Sequence, residues 1–221
     1  MDRAAFFQQG FLGRFGFDPT PCQARLFHTM GEFLAGDDAD ILVVNGYAGT
    51  GKTSAIAAVI KSLKDYGINS VLLAPTGRAA KVLSSFAGSS AQTIHKCIYR
   101  QKSVGSDGFG SFSLSPNKSK DTLFVVDEAS LIGIDSQGES QSTLFGTGNL
   151  LDDLISFVRA GVDCRLVLIG DSAQLPPVGM DESPALSHQF MSSYGGVIFE
   201  ELSDVVRQAE TSGILRNATA L

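Results

Sequence analysis

The stretch Gly46-Tyr47-Ala48-Gly49-Thr50-Gly51-Lys52-Thr53 decides the fold, because it matches the G-x-x-x-x-G-K-[ST] pattern of a phosphate-binding loop. The apolar run 41–44 before it predicts a buried strand, and residues 53–61 after it have the composition of a helix. A strand, a glycine-rich loop and a helix in this order are the context that the motif requires. The sequence therefore predicts a P-loop nucleotide-binding protein.

Each residue type in this loop has a chemical reason. Glycines let the backbone turn sharply, so that several N–H groups face an anion at the start of a helix. We expect Lys52 to reach the β- and γ-phosphates of the nucleotide, and the Thr53 hydroxyl to ligate Mg²⁺. The residues expected to hold ATP in this loop are Gly46, Ala48, Gly49, Thr50, Gly51, Lys52 and Thr53.

The bulk composition predicts a soluble, folded protein of the cytoplasm. The 221 residues, of which 43% are hydrophobic and 18% charged, suit one α/β domain. Three scattered cysteines without C-x-x-C spacing favour a reducing compartment, with no zinc site and no disulfide framework. No apolar run approaches the about 18 residues of a membrane span, and Gln8 and Gln9 interrupt the only signal-like segment.

The net charge of −6 argues against a protein that coats nucleic acid through bulk electrostatic attraction. Any nucleic-acid site must therefore be a local groove.

Apolar runs alternate with helix-like segments along most of the chain. Strands are predicted at 41–45, 70–74, 123–126, 165–169 and Val197–Leu202, and helices at 53–66, 77–86, 91–99 and Leu150–Arg159. This alternation predicts an α/β fold with a mostly parallel sheet and helices on both faces. Ligands of such sheets bind outside the carboxyl ends of the strands, so the motifs that follow these strands are expected to converge.

Two stretches interrupt this alternation. Residues 100–121 contain several glycines and serines with Phe109, Phe112 and Leu114 between them, which predicts a small inserted hairpin. Residues 133–149 are rich in Ser, Gly, Gln and Thr and predict a mobile surface loop.

Paired carboxylates, Asp127 and Glu128, follow the predicted strand 123–126 in the Walker B pattern. Hydrolysis of a phosphoanhydride needs a hard cation to absorb charge and a base to orient the attacking water. Asp127 is the candidate metal ligand and Glu128 the candidate base. An acidic pair after a strand is commonly a cap or a solvated turn, but a phosphate loop in the same domain favours the catalytic interpretation.

Gln174 follows the predicted strand 165–169, four residues after Gly170 and two before the rigid pair Pro176-Pro177. An amide can donate to the γ-phosphate and accept from the attacking water, as glutamines do in other nucleotide hydrolases. A simple turn would explain the glycine and the prolines but would leave the position of Gln174 unexplained.

Two polar segments are candidates for contact with nucleic acid. Thr76 and Arg78 open the helix predicted at 77–86, where free N–H groups and side chains can hold a phosphate without reading base sequence. Thr93 and His95 extend this track. Taken singly, Arg78 is more typical of a surface or ion-pair residue, and His95 of a satisfied core or surface histidine.

Gln23 has two interpretations that the local pattern leaves open. Thr20, Pro21 and Gln23 together form the sequence signature of a helix start closed by a capping box. Alternatively, the amide of Gln23 pairs with adenine, whose edge offers one donor and one acceptor.

Taken together, these motifs resemble those of superfamily 1B DNA helicases of the RecD and Dda type. The resemblance covers most of the chain, through Gln23, the phosphate loop, 75–80, 93–95, 127–130, Gly170-Asp171, 174–178, Leu202 and 206–208. It implies a RecA-like first motor domain, ATP and Mg²⁺ as cofactors, single-stranded DNA as the track and 5′-to-3′ movement. By the same resemblance Gln23 contacts adenine, Arg207 contacts the γ-phosphate, and the hairpin at 100–121 is a duplex-splitting wedge.

The sequence also departs from the family pattern. The sequence ends at Leu221, and a second motor domain with the remaining motifs is not found in it. We therefore expect residues 1–221 to be one RecA-like domain, with Lys52, Glu128, Gln174 and Arg207 as its catalytic residues and the other motor domain as its partner.

Two other functions remain to be weighed against an ATP-dependent helicase domain. The first is a nucleotide-dependent switch that binds a partner without helicase activity, which would need neither a DNA track at Thr76 and Arg78 nor a wedge hairpin. The second is a nuclease, which is weak because no further cluster of carboxylates and lysines would build a two-metal site.

Overall fold

Six parallel strands form the centre of the fold, in the order β3-β2-β6-β7-β1-β8. The computed structural model describes residues 2–104, 110–134 and 145–206. The strands, numbered along the chain, are β1 Ile41–Gly46, β2 Asn69–Ala74, β3 Ala91–Thr93, β4 Tyr99–Val104, β5 Gly110–Leu114, β6 Thr122–Val126, β7 Arg165–Gly170 and β8 Val197–Leu202. The parallel α/β sheet predicted from the sequence is therefore confirmed.

Helices cover both faces of this sheet. They are α1 Arg3–Phe15, α2 Pro21–Ala35, α3 Lys52–Asp65, α4 Gly77–Ala87, α5 Ile94–Ile98, α6 Leu150–Arg159 and α7 His188–Met191, with short 3₁₀ turns at Ala129–Leu131 and Ser192–Tyr194. None of the helices in the described part of the chain is long and apolar enough to cross a membrane.

The two faces of the sheet hold two separate apolar cores because side chains alternate along each strand. In β1, Leu42 and Val44 pack in one core with residues of α1 to α4, whereas Ile41 and Val43 pack in the other core with residues of α5 and α6. Each strand near the centre is thus buried on both sides, which explains its continuous apolar sequence.

The predicted helix 91–99 is wrong in its first and last residues. Residues Ala91–Thr93 form the outer strand β3, which pairs with β2, and only Ile94–Ile98 is helical. Tyr99 already belongs to β4. A three-residue edge strand with the sequence Ala-Gln-Thr has no apolar run, so the pattern that identified the central strands could not identify this one.

The inserted hairpin is present as the antiparallel pair β4 and β5, which ends at Leu114 rather than at residue 121. Its base is packed by aromatic rings, since Phe112 stacks on Phe145 with ring centroids 4.5 Å apart. Phe145 belongs to the stretch predicted as a mobile loop at 133–149. Residues 145–149 are instead held against the hairpin and α6, and residues 135–144 lie outside the described part of the chain.

Candidate nucleotide site

The predicted catalytic motifs converge at the carboxyl edge of the sheet. The phosphate loop follows β1, the carboxylates Asp127 and Glu128 follow β6, and Gln174 follows β7, which lies between those two strands. A cavity of about 290 Å³ opens at this edge. Side chains that line it include Lys52, Thr53, Phe86, Asp127, Glu128, Asp171 and Gln174.

The backbone of the phosphate loop depends on two glycines in the left-handed region. Gly49 has a φ of 82° and Gly51 a φ of 78°, a conformation that other residues adopt only with strain. A Cβ atom at Gly51 would also lie 2.5 Å from the side-chain nitrogen of Gln23. The loop then enters α3 at Lys52, so that the start of this helix faces the cavity.

Lys52 is folded back onto its own loop. Its Nζ donates to the carbonyl oxygen of Gly46 and, over 2.9 Å, to that of Tyr47. Burial lowers the pKa of Lys52, while the negative charges of Asp171, Asp127 and Glu128 act in the opposite direction. Lys52 is therefore a partly desolvated cation whose present partners are neutral carbonyls, and a phosphate would be a stronger partner.

Asp127 and Glu128 are held in a tight turn. The Asp127 Oδ1 accepts from the Glu128 backbone N–H over 2.9 Å, and Glu128 has a φ of 57°. Burial raises the pKa of both carboxyls, and for Glu128 the nearby charge of Asp127 adds to the effect. A left-handed conformation in a residue other than glycine is uncommon and is found at functional sites, which agrees with the predicted role of Glu128.

Thr53 and Asp127 face the same cavity, and their oxygen atoms fit a Mg²⁺ ion. Magnesium is commonly held by one or two protein oxygens, with water and nucleotide phosphates completing its six ligands. The described residues contain no preformed cluster of three or more His, Cys, Asp or Glu side chains able to hold a metal. One hydroxyl, from Thr53, and one carboxylate, from Asp127, are the protein ligands expected for Mg²⁺ when a nucleotide supplies the remaining oxygens.

Asp171 is a third carboxylate of this cavity, to which sequence reasoning assigned no role of its own. It is only 3% exposed, and its Oδ1 accepts from the Ala173 backbone N–H over 3.0 Å. Its charge contributes to raising the pKa of Glu128. Its position directly after Gly170, the last residue of β7, could have identified Asp171 as a residue of the site.

The loop that carries Gln174 is tied to the end of β1. The Asn45 side-chain nitrogen donates to the Ser172 hydroxyl over 2.9 Å, and the Ser172 backbone N–H donates to the Asn45 Oδ1 over 3.0 Å. The Gln174 backbone N–H donates to the Asp171 carbonyl oxygen and closes a turn. Gln174 lines the cavity at the carboxyl end of β7.

The structure confirms the capping interpretation of Gln23, and the Gln23 side chain also contacts the phosphate loop. Thr20 and Gln23 form a complete capping box at the start of α2. The Gln23 side-chain nitrogen donates to the Thr50 carbonyl oxygen over 2.9 Å, and the side chain is 2% exposed. An amide has a second N–H and a second lone pair, so the adenine contact implied by the family resemblance remains a prediction beside the cap.

The chain after β8 lies along the phosphate loop. The Val206 backbone N–H donates to the Gly49 carbonyl oxygen over 3.0 Å, and the Asp204 carboxylate accepts from the Cys22 backbone N–H. Arg207 is the next residue and lies outside the described part of the chain. Its predicted contact with the γ-phosphate therefore stays a prediction.

Phe86 is a residue of the cavity that sequence reasoning missed. It extends from α4, lines the same cavity as Thr53 and Glu128, and is 54% exposed. Arg78, Val82 and Phe86 are four residues apart, so they lie along one side of α4. The spacing of Val82 and Phe86 places two exposed apolar side chains on the same side of α4, and this pattern could have identified Phe86 from the sequence.

The predicted nucleic-acid residues also lie at the carboxyl edge. Ala74 at the end of β2 pairs with Thr93 at the end of β3, which brings the segments that follow them side by side. The Thr76 and Thr93 hydroxyls cap α4 and α5 as acceptors, and each retains an O–H that can donate to a phosphate. Arg78 is exposed beside them.

His95 has a different environment from the other three residues of this predicted track. Its ring lies 5.2 Å from Phe145 in an edge contact and 5.6 Å from Tyr99. Burial lowers the pKa of His95, so the ring is neutral near pH 7.

Comparisons with known proteins agree with this geometry. The profile of a family described as an AAA domain matches residues 27–221. The chain is 31% identical over 181 residues to the ATP-dependent RecD2 DNA helicase of Deinococcus radiodurans, a match that covers 82% of this chain and 21% of the relative. It is 27% identical over 164 residues to the ATP-dependent DNA helicase Dda of Enterobacteria phage T4, covering 68% and 31%.

A solved structure shows the same fold. The Pif1 helicase of Candida albicans superposes with a TM-score of 0.53 at 20% identity, over 87% of this chain and 41% of that one. The chain thus spans about a fifth to a third of the length of these two curated relatives. The family match over nearly the whole chain, the RecA-like sheet and the convergent Walker motifs lead to one conclusion. This chain belongs to the AAA domain family, has a RecA-like fold, and is similar in sequence to helicases of the RecD and Dda type.

Proposed function

We propose that this chain is the ATP-hydrolysing motor domain of a DNA helicase that moves 5′ to 3′ along single-stranded DNA when a second motor domain is present. The main observation behind the proposal is that Lys52, Glu128 and Gln174 line one cavity at the carboxyl edge of the sheet. Thr76 and Thr93 lie at the same edge, at the ends of β2 and β3. A nucleotide in this cavity would therefore lie at the same edge as the proposed DNA track.

The proposed chemistry assigns one task to each side chain. Lys52 leaves the carbonyls of Gly46 and Tyr47 and binds the β- and γ-phosphates, with the loop N–H groups around them. Thr53 and Asp127 would hold Mg²⁺, which when bound neutralises charge on the phosphates. Glu128 accepts the proton of the attacking water, a task for which its raised pKa makes it a stronger base than an ordinary glutamate.

Gln174 and Arg207 complete the proposed site. The Gln174 amide donates to the γ-phosphate and accepts from the attacking water, and Arg207 stabilises the charge that develops on the transferred phosphoryl group. Pro176 and Pro177 stiffen the segment after Gln174, so a displacement of Gln174 would be carried along that segment.

Exposed apolar side chains in the segments that follow the strands support a second domain as partner. All follow a strand at its carboxyl end, and they are Tyr47, Leu131, Leu175, Val178, Val205 and Val206. Exposed apolar side chains gathered at one edge of a sheet are typical of a contact between domains. The short span of this chain relative to its curated relatives agrees with that arrangement.

A comparison of this chain with a longer protein, one that also contains the proposed second motor domain, tests the proposal. Labelled single strands should bind this chain weakly, with a Kd of about 10⁻⁴ M or poorer at physiological salt, since an acidic chain supplies only local contacts. Addition of ATP should give no strand separation. The longer protein should bind tightly, hydrolyse ATP faster with DNA and unwind duplex, and Arg78→Ala should weaken binding equally for all base sequences.

Two results would contradict parts of the proposal. Unwinding by this chain alone would remove the requirement for a second domain. ATP hydrolysis in the longer protein that is indifferent to DNA would instead favour a nucleotide-dependent switch.

A further inference from the structure

The hairpin formed by β4 and β5 emerges beside the proposed DNA track. The track residue Thr93 caps α5, and β4 begins at Tyr99, directly after this five-residue helix. Five helical residues rise about 7.5 Å, so the base of the hairpin lies within one short helix of the track. A duplex that continues from a single strand held at Thr93 would therefore approach the hairpin.

One buried carboxylate holds the base of this hairpin. Asp153, in the first turn of α6, is 3% exposed. Its Oδ2 accepts from the Tyr99 hydroxyl over 2.7 Å and from the Thr147 backbone N–H over 3.0 Å, and its Oδ1 accepts from the Thr147 hydroxyl over 3.0 Å. Asp153 is in none of the ion pairs formed among the described residues. Its charge is instead satisfied by these three donors and by the start of a helix.

The three donors connect Asp153 to both strands of the hairpin. Tyr99 is the first residue of β4. Thr147 belongs to the segment that lies along β5, where the Gly146 backbone N–H donates to the Phe112 carbonyl oxygen over 3.0 Å. Asp153 therefore contacts β4 directly and β5 through this segment.

The packing around Asp153 leaves no room for a side chain at position 146. Gly146 has a φ of 51°, which other residues adopt only with strain. A Cβ atom there would overlap the Asp153 carboxylate and would lie 2.7 Å from the ring of Tyr99. The hairpin, the segment beside it and α6 are thus closely fitted at this point.

Helix α6 is a firm support because its buried side belongs to the core beneath the nucleotide site. The Phe157 ring makes an edge contact with Phe124 of β6, with ring centroids 5.9 Å apart, and β6 leads directly to the catalytic carboxylates. After β5, the Asn117 side-chain nitrogen donates to the Phe157 carbonyl oxygen over 2.9 Å. Loss of the Asp153 contacts would therefore loosen the hairpin without detaching its end from α6.

We propose that Asp153 is a positioning residue for strand separation, which holds the β4–β5 hairpin in a fixed place relative to the nucleotide site. The inference rests on the proposed function and on the predicted role of the hairpin as a wedge. A firmly held hairpin resists the duplex when the domain moves along the single strand, whereas a loosened hairpin yields. ATP hydrolysis would then continue while fewer base pairs are opened.

Hydrogen exchange of this chain tests the contact itself. Tyr99→Phe removes one donor and keeps the ring, and Thr147→Val removes another with little change of shape. A hydrogen bond to a charged group is strong enough to change a local opening equilibrium by about 10- to 150-fold. The backbone amides that pair β4 with β5 should exchange faster by a factor in this range, whereas those of β6 and β7 should keep their rates.

Tyr194→Phe is the matched control. The Tyr194 hydroxyl donates to Asp152, the neighbouring carboxylate of the same helix, so the substitution removes the same kind of bond. Tyr194 belongs to the 3₁₀ turn Ser192–Tyr194 and not to the hairpin. Exchange of the hairpin amides should therefore be unchanged in this variant.

The positioning role is measured in a longer protein that also contains the proposed second motor domain. Unwinding of A·T-rich and G·C-rich duplexes would be compared with ATP hydrolysis stimulated by single-stranded DNA. Tyr99→Phe and Thr147→Val should retain this hydrolysis and should slow unwinding, most strongly on the G·C-rich duplex. A general loss of stability would lower both activities together. The ratio of ATP consumed to base pairs opened therefore separates positioning from a purely structural role.

Each outcome supports or overturns a defined part of the inference. Faster hairpin exchange, together with a raised ratio in both hairpin variants and not in the control, supports the role of Asp153. Unchanged exchange in both hairpin variants would overturn the contact as the support of the hairpin. Faster exchange with an unaltered ratio would overturn the positioning role and leave the proposed function intact. A longer protein that hydrolyses ATP but opens no duplex would overturn the proposed function and this role with it.

Discussion

The side-chain nitrogen of Gln23 donates to the carbonyl oxygen of Thr50 over 2.9 Å and so joins the start of α2 to the phosphate loop. The same side chain accepts from the Thr20 backbone N–H over 3.0 Å to close the capping box. Thr50 is fully buried, so its carbonyl depends on a protein donor. Gln23 is thus a structural contact of the loop before any nucleotide is considered.

A pair of substitutions separates this structural role from the adenine contact. Thr20→Ala removes the cap, at a cost of about 1 kcal/mol, and should leave the preference for ATP over GTP unchanged. Gln23→Ala also leaves the Thr50 carbonyl without its donor, at a cost of about 1 to 3 kcal/mol, and should reduce that preference by about 5- to 150-fold. Melting curves and competition binding with the two nucleotides measure these effects. An unaltered preference in both variants would limit Gln23 to the structural role.

Lys52→Ala should abolish tight ATP binding and leave the melting temperature almost unchanged. The Lys52 side chain contacts loop carbonyls at the cavity and no part of either apolar core, so the fold does not depend on it. Lys61→Ala, at an exposed position of the same helix, is the control. Nucleotide affinity equal to that of the unaltered chain would remove the phosphate-binding role of the loop lysine.

Glu128→Gln in the longer protein should retain ATP binding and lower turnover by about 100-fold or more, because general-base catalysis contributes about 10² to 10⁴. The amide keeps the size of the side chain but cannot take the proton of water. Glu201→Gln, an exposed position on β8, is the comparison. Near-normal hydrolysis by the Glu128 variant would transfer the role of base to another group.

Asp127 makes the stability of the nucleotide-free chain depend on pH. Since burial raises the pKa of Asp127, the folded chain holds this proton more tightly than the unfolded chain does. The resulting stabilisation is complete below the unfolded pKa of about 3.9 and is lost as pH rises through the higher folded pKa.

Asp127→Asn should therefore raise the melting temperature at pH 7 without metal, and this gain should shrink as pH falls towards 4. The asparagine oxygen can still accept from the Glu128 N–H, so the turn is kept. Asp181→Asn, at an exposed position, corrects for the general loss of negative charge. A gain that is the same at both pH values would show that desolvation of the Asp127 carboxylate is not its cause.

Central features of the fold were predictable because their sequence patterns are local. Strands such as Leu123 to Val126 are buried on both faces and are therefore continuously apolar, and the loop glycines need a conformation that few other residues adopt. The peripheral helix α1 has no catalytic motif to draw attention to it, although Phe7, Phe11 and Phe15 recur at helical spacing. Burial of these rings against α2 and α3 becomes visible only in the folded chain.

The candidate site was predictable to the extent that its residues belong to contiguous motifs. Lys52 and Glu128 each stand in such a motif, whereas Phe86 reaches the cavity from the last turn of α4 through the packing of that helix beside α3. The environment of His95 was also hidden, because its aromatic neighbour Phe145 is fifty residues away along the chain. Contacts between distant segments follow from tertiary packing, which single-sequence patterns do not specify.

The reciprocal hydrogen bonds between Asn45 and Ser172 determine where this site can be flexible. Strands β1 and β7 pair as far as Asn45 and Gly170, and the side-chain bonds continue that pairing past the last backbone partners. The phosphate loop and the Gln174 loop therefore start from one stiff base. Any shift of Gln174 relative to Lys52 must be absorbed by the few residues beyond this base, so the distance over which a nucleotide can displace either loop is short.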